Sequence, residues 1–464
     1  MADPSRRLNE ADAIFLPMGE AVGGAMAPIG VTILAGPLDP SAEAHQRELL
    51  SRLIPASRRR IVKDRLSLAL PRWVDVPDFE PSDNWVELPA PGDGTLQAVL
   101  DWVARWAGHP FPDGRPPWRS ARFDGVTVDG VPGRTVLVGQ IHHALMDGGG
   151  GRRMVEHYLR FEPDAPLAPL PPPLPIERIA GWERWKEGWA LEGRKGAATA
   201  RAGARRLRTA ARDPRHGARR TAELVRAARR LQGPVGPVPL SPLLRRQSDQ
   251  MRFDETVIDL AGLKAGARAA GGTINDGFMT AVSLGLRAWH RDQGVSVPAL
   301  RTAMVVDRRA PGTTWEGNDA LAVVVHVPCD DDDPTSLIKR CREISLEARD
   351  DSDALWLMDR VRAAGNRLPF RVTVALCRQS LSGLDVSLSN VVGLSKRRWM
   401  GGVEQIRSVP LVVGTLSAVA ILMTSRGDEA DLGLTTCPVA VPDPAHLLAR
   451  LQEGFAAVAA LAEP

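Results

Sequence analysis

Apolar residues recur at intervals of three and four in Ala44–Leu53 and Leu96–Trp106, which predicts two helices with one buried side each. Thr135–Ile141 instead runs as a short, nearly continuous apolar stretch of strand length, as does Ile29–Leu34. Farther along, Glu255–Leu260, Ala303–Val306, Leu321–Val327 and Val386–Ser389 read as strands. Ile274–His290, Pro334–Ala348 and Ala354–Leu368 read as helices. The chain closes with two strands, Leu416–Met423 and Leu432–Thr436, joined by a polar turn, and then the helix Pro444–Leu461. Strands and helices mix in both halves, so the predicted class is α/β.

The proline block Pro163–Pro175 interrupts this pattern, because proline-dense sequence continues neither a helix nor a central strand. From Ile176 to Gln232 the composition shifts to Arg, Ala, Trp and Gly, with helical character broken at Asp213-Pro214 and ended by Gly233-Pro234. The expected organisation is a first unit over 1–162, a linker arm over 163–250 and a second unit over 251–464. A length of 464 residues suits two large units with a cleft between them.

Composition narrows the class further. Apolar content of 44% with 25% charged residues is that of a globular chain, and the longest apolar run, Val409–Met423, is broken by Pro410 and Gly414 and reads as core strands. Met1–Glu10 lacks the apolar centre of a secretory signal, which with the scattered Cys329, Cys341, Cys377 and Cys437 suits reduced thiols in the cytoplasm. Their spacing implies no zinc site. Positive charge is concentrated: Arg194–Arg230 holds 13 Lys or Arg against Asp213 and Glu223.

Candidate chemistry lies in His142-His143-Ala144-Leu145-Met146-Asp147-Gly148, at the exit of the predicted strand. A histidine with a free pKa near ~6.5 can take and return a proton at neutral pH. If the strand extends through His143, alternation sends the two rings to opposite faces, leaving one for a cleft and one for structure. Gly148 lets the following turn pass tightly, and Asp147 can brace it. A core histidine pair and a metal site are the competing readings.

The His-His-x-x-x-Asp-Gly run reproduces the signature of the coenzyme A-dependent acyltransferase superfamily, and its flanks resemble the bacterial wax ester synthase/diacylglycerol acyltransferase family. Arg115-Pro116-Pro117-Trp118 is similar to that family's PLW element, with Pro117 replacing Leu. Asn275-Asp276 is similar to its ND element, and Ser389-Asn390-Val391-Val392-Gly393 to its SNVPG stretch, with Val392 replacing Pro. Asp12 and Phe15 also match. Val305-Val306-Asp307-Arg308-Arg309 departs from the PVSVR that members tend to carry, which bears on the second half's pocket.

The resemblance implies two chloramphenicol-acetyltransferase-like domains, each a mixed sheet flanked by helices, with a tunnel between them. It implies a long-chain acyl-coenzyme A as substrate rather than a bound cofactor, and diacylglycerol or a fatty alcohol as acceptor, giving triacylglycerol or wax esters. His143 is then the expected general base, His142 its structural neighbour, and Asp147 and Gly148 support for the turn. Asn275 is either a donor to the oxyanion or a helix N-cap. Asp276, Ser389, Asn390 and Trp118 are candidates for substrate contact, set against capping, strand ending and packing respectively.

In the arm, Trp182, Trp185 and Trp189 fall on one side of a predicted helix that leads into the arginine-rich stretch. Tryptophan at an interface with arginine against anionic headgroups makes a membrane or lipid-droplet anchor; packing on the core is the alternative. Without a recognised nucleic-acid motif, phosphate binding of that kind is not expected. Two other functions compete with the first: a condensation-type acyltransferase using a carrier-bound acyl group, and a lipid-droplet-binding protein without catalysis.

Overall fold

The computed structural model describes residues 6–23, 26–64, 69–145, 159–232, 236–245, 248–307, 320–393, 396–413 and 417–462. Fourteen strands are described: β1 (Ala27–Leu34), β2 (Arg59–Val62), β3 (Arg72–Asp75), β4 (Trp85–Pro89), β5 (Trp118–Val128), β6 (Val131–Ile141), β7 (Arg252–Asp259), β8 (Ala299–Asp307), β9 (Ala320–Pro328), β10 (Val386–Val391), β11 (Trp399–Met400), β12 (Val403–Val413), β13 (Val419–Arg426) and β14 (Glu429–Thr436). They build two six-stranded sheets, ordered β11-β12-β1-β6-β5-β4 and β7-β14-β13-β10-β8-β9, and the small β2–β3 pair. Both large sheets mix parallel and antiparallel neighbours: β4–β5, β10–β13 and β8–β10 run parallel.

In the first sheet β1 buries Ala27, Ile29, Val31 and Ile33 on alternate positions, the period that lets one strand face feed a core. The helix Leu96–Ala107 covers that face through Leu96, Val99, Leu100, Val103 and Ala107, and Thr95 caps it by accepting from the Ala98 amide. The second sheet is buried more completely, since every residue of β14 after Glu429 is buried. The helices Ile274–Asp292 and Pro444–Ala459 pack together on it. Their backbones approach so closely at Gly454 that a Cβ there would overlap the Ala281 carbonyl oxygen.

The two sheets are joined through β12. The alternation of Val409, Leu411 and Val413 marks it as a strand in sequence, yet it pairs antiparallel with β1, so the first sheet draws its last two strands from beyond residue 251. The other side of β12 rests on β14. A Cβ on Gly433 would collide with the Pro410 carbonyl oxygen, and the buried Asp431 carboxylate accepts from the Ser408 amide at 2.7 Å. The apolar run Val409–Met423 is thus two strands in two different sheets.

The arm is two helices, Gly181–Arg212 and Pro214–Gln232, divided at Asp213 as the Asp-Pro step predicts. The helix Phe370–Leu381 has no counterpart in the sequence reading: Val372, Thr373 and Val374 give it the β-branched look of a strand, and Pro369 takes the N-cap position. No helix among the described residues is long and apolar enough to cross a membrane.

Candidate active site

β6 ends at Ile141, two residues short of the predicted strand end, because the chain turns there: the Leu145 amide donates to the His142 carbonyl at 2.8 Å. The exit is held by the element preceding β5. The His142 amide donates to the Pro117 carbonyl at 2.9 Å, Trp118 pairs with Ile141, and the Asn84 side-chain amide donates to the carbonyls of Pro116 and Trp118. Trp118 itself packs edge-on against Phe79 and donates its indole N–H to the Ser57 carbonyl at 2.7 Å. The structure therefore gives Trp118 a bracing position beside the histidines.

Both histidines lie beyond the strand, so the turn and not strand alternation sets their different surroundings. His142 is buried, and its Nδ1 accepts from the Ala144 amide at 3.1 Å, which places the ring proton on Nε2. Burial pushes its pKa down to about 4, with His143 adding a smaller effect in the same direction. His143 is half-buried and stacks on Phe15, ring centroids 4.2 Å apart. Its Nδ1 is sealed from solvent with no hydrogen-bond partner among the described residues. Burial brings this pKa also to about 4, opposed only in part by its own main chain. A neutral imidazole there can accept a proton.

Phe15 is delivered by the short helix Phe15–Ala21, which follows Glu10–Ala13. Asp12 in the latter is buried, and desolvation raises its carboxyl to about 7 against the pull of Arg362. Behind β6, Gln140 is fully buried and accepts from the Arg119 Nε at 2.6 Å, while Arg119 lies over the Trp106 and Phe111 rings. Sequence reasoning missed Gln140 and Arg119; alternation along β6 was the signal that would have found the first. Asp147 and Gly148 lie outside the described residues.

Asn275 occupies the second position of the helix Ile274–Asp292, whose N-cap is Thr273 and not Asn275. Asp276 completes the reciprocal cap: its Oδ2 accepts from the Thr273 amide and hydroxyl, both at 2.8 Å, with Arg342 3.7 Å away. Among the described residues the Asn275 amide meets only the sulfurs of Met279 and Met304, which are weak acceptors. Met304 on β8 lies beside β10, where Ser389 and Asn390 are half-buried and make no side-chain hydrogen bond among the described residues. Asn275, Ser389 and Asn390 thus gather at one end of the parallel trio β8, β10 and β13. No cluster of three or more His, Cys, Asp or Glu able to hold a metal occurs among the described residues.

The tryptophans of the arm face outward. Trp182, Trp185 and Trp189 are 63%, 45% and 42% exposed, so they do not pack on the core. The opposite side of that helix is pinned: Glu187 pairs with the fully buried Arg72 at 2.7 Å and Arg184 with Asp64 at 3.2 Å, while Glu192, two turns beyond Trp185 on its side, pairs with Arg367 at 3.1 Å.

Two family models match the sequence: the wax ester synthase/diacylglycerol acyltransferase catalytic domain over residues 8–278 and the WS/DGAT C-terminal domain over 316–459. A candidate diacylglycerol O-acyltransferase of Mycobacterium tuberculosis is 28% identical over 428 residues, covering 89% of this chain and 84% of the relative. Among solved structures, the wax ester synthase/diacylglycerol acyltransferase of Marinobacter aquaeolei superposes with a TM-score of 0.62 at 19% identity, over 99% of this chain and 100% of that one. The trichothecene 15-O-acetyltransferase of Fusarium sporotrichioides gives 0.56 at 13% identity, over 98% and 94%. The first condensation domain of the calcium-dependent antibiotic synthetase gives 0.58 at 14%, over 99% and 96%. The fold is accordingly two chloramphenicol-acetyltransferase-like domains.

Proposed function

This chain belongs to the wax ester synthase/diacylglycerol acyltransferase family, and from that footing we propose that it moves a long-chain acyl group from coenzyme A to the hydroxyl of diacylglycerol or a fatty alcohol. That it is an O-acyltransferase follows from the family; the substrates and the role of each residue belong to the proposal. The observation that carries it is His143: a ring stacked flat on Phe15 just beyond the end of β6 and held neutral by burial.

His143 takes the proton of the acceptor hydroxyl as that oxygen attacks the thioester carbonyl. The tetrahedral intermediate expels the coenzyme A thiolate, and the same imidazolium returns the proton to sulfur, leaving an ester and free thiol. A ring with low proton affinity surrenders its proton readily in the second half of this exchange. Proton transfer of this kind is worth about 10²–10⁴ in rate, and the amide of Asn275 supports the reading of a donor to the oxyanion. Asp147 bracing the turn and Ser389 and Asn390 lining the substrate channel belong to the same proposal. So do a tunnel between the domains and a site of action at the cytoplasmic face of the inner membrane or on lipid droplets.

The test is incubation of the purified protein with palmitoyl-coenzyme A and either hexadecanol or dioleoylglycerol, following thiol release and resolving the lipids. Ester from the wild type and none from His143→Ala is the expected outcome. Thiol release or ester formation surviving in His143→Ala sinks the general-base assignment.

A further inference from the structure

Phe15, whose ring lies on His143, belongs to a segment that is held from the C-terminal half of the chain. The helices Glu10–Ala13 and Phe15–Ala21 need outside support, since isolated helices under about 12–15 residues are marginal in water. On one side Ala13 and Leu16 pack in the cluster that holds Ala144 and Leu145, the two residues after His143. The other side is covered by a hairpin of two helices, Ser352–Gly365 and Phe370–Leu381. There Ala13, Leu16 and Pro17 face Asn366, Phe370 and Thr373.

Polar contacts from the hairpin grip both ends of the segment. Asn366 Nδ2 donates to the Glu10 carbonyl and to Glu10 Oε2, both at 2.9 Å, and Arg367 pairs with Oε1 of the same carboxylate at 2.8 Å. A carboxylate that accepts from an amide and a guanidinium at once is held in one orientation, and the turn of helix it opens is held with it. At the far end Arg378 Nε donates to the Ala21 carbonyl at 3.1 Å. Between the two ends Asp12 is buried within reach of the Arg362 charge. The hairpin is closed on itself by the Thr373 hydroxyl, which donates to the Gly365 carbonyl at 2.7 Å, and Arg367 also reaches Glu192 of the arm at 3.1 Å.

We infer that Asn366 and Arg367 are positioning residues for the reaction: from the C-terminal half they latch the segment 10–21 against the first sheet's half, and through it hold Phe15 on His143. For the part His143 plays, this rests on the acyltransferase reading above. Both residues grip Glu10, five positions before Phe15, so they act on the imidazole through that ring. The base and the contacts that orient it thus come from opposite halves of the chain, and the geometry at His143 depends on how the halves are seated. A displacement of about 1 Å at a reacting group can cost on the order of 10²-fold in rate, so a latch this far from the chemistry still registers there.

The test uses the full chain and compares Asn366→Ala, Arg367→Ala and Glu10→Gln, which opens the same contact from the other side, with Arg220→Ala. The last frees the hairpin from a different tie, the Arg220–Asp353 pair, without touching the segment. With palmitoyl-coenzyme A and hexadecanol, kcat is expected to fall about 10–10²-fold in the three latch variants at unchanged KM, and to stay at the wild-type value in Arg220→Ala. Placed in a Phe15→Ala background, the latch substitutions are expected to cost nothing further. Diethyl pyrocarbonate followed by peptide mass spectrometry is expected to modify His143 faster in the latch variants than in the wild type. The buried His290 should stay unmodified in all of them, which separates a loosened segment from a loosened protein. Losses that add to that of Phe15→Ala, an equal loss in Arg220→Ala, His290 modified in step with His143, or His143 modified at the wild-type rate would each overturn the inference. Modification needs no turnover, so a protein that forms no ester counts against the acyltransferase reading, whereas ester formation with unchanged modification of His143 counts against the latch alone.

Discussion

Phe15 lies flat on His143, with ring centroids 4.2 Å apart and the two planes within 2° of parallel. The contact fixes the imidazole in one orientation and keeps water from one of its faces, the two conditions under which a buried base stays neutral. In the wild type the protonated form of His143 accumulates only below about 4, so the acid limb of kcat/KM is expected near that value, not near the ordinary histidine range. In Phe15→Ala water reaches the ring, its pKa rises, and the limb moves up in pH while kcat at pH 7.5 falls. A pH–rate profile checks both, and an acid limb unmoved by the substitution would remove Phe15 from the positioning role.

Asn275 and its neighbour Asp276 are expected to fail differently. Asn275→Ala should lower kcat by about 10²–10³ if its amide serves the oxyanion, with the melting temperature unchanged. Asp276→Ala removes the acceptor of the Thr273 amide and hydroxyl and should cost about 0.5–2 kcal/mol of stability. Steady-state kinetics beside thermal melting of the two variants separates the cases.

His142 makes stability depend on pH. Its folded pKa is lowered, so between the free-histidine value near ~6.5 and about 4 the unfolded chain binds a proton that the native protein refuses. Stability is therefore present in full above about 6.5 and declines as the pH falls toward about 4. Urea midpoints at pH 7 and pH 5 should differ in that direction. The difference should narrow in His142→Asn, which carries no titrating ring.

Arg72 is fully buried and its charge is answered by Glu177 and Glu187, both from the arm side of the molecule. Arg72→Ala removes the buried guanidinium while Glu177 keeps Arg6 and Glu187 keeps Arg7, so it should cost about 1.5–3 kcal/mol. Limited proteolysis is expected to cut the helix Gly181–Arg212 faster in the variant than in the wild type. Equal cleavage rates would show that this pair does not secure the arm.

Much of this was legible in sequence wherever a signal is local. The His142-His143 pair sits at the end of an apolar run, and an Asp-Pro step splits the arm, so both are found by reading neighbours. The N-cap at Thr273 was displaced by two residues from Asn275 because two capping-type side chains compete within one turn, and the hydroxyl three residues before Asp276 wins by reciprocity. The helix Phe370–Leu381 was hidden by its β-branched residues, whose preference is overridden by tertiary contacts such as the hydrogen bond that the Thr373 hydroxyl donates to the Gly365 carbonyl. The stacking of Phe15 on His143 and the pairing of β12 with β1 join residues far apart in the chain, and no periodicity encodes a partner.

That last pairing has a bearing on how the protein comes into being. The candidate histidines follow β6, and β6 lies against β1, whose other edge stays open until β12 arrives. A ribosome that has released only the first half of the chain has made the histidines but not the strand that closes their sheet, leaving the backbone of β1 exposed to pair with another copy. The arm and much of the second sheet must be translated before the first can close, so the order of synthesis is not the order of completion. Splitting the gene between the halves would yield two fragments that need each other rather than two domains.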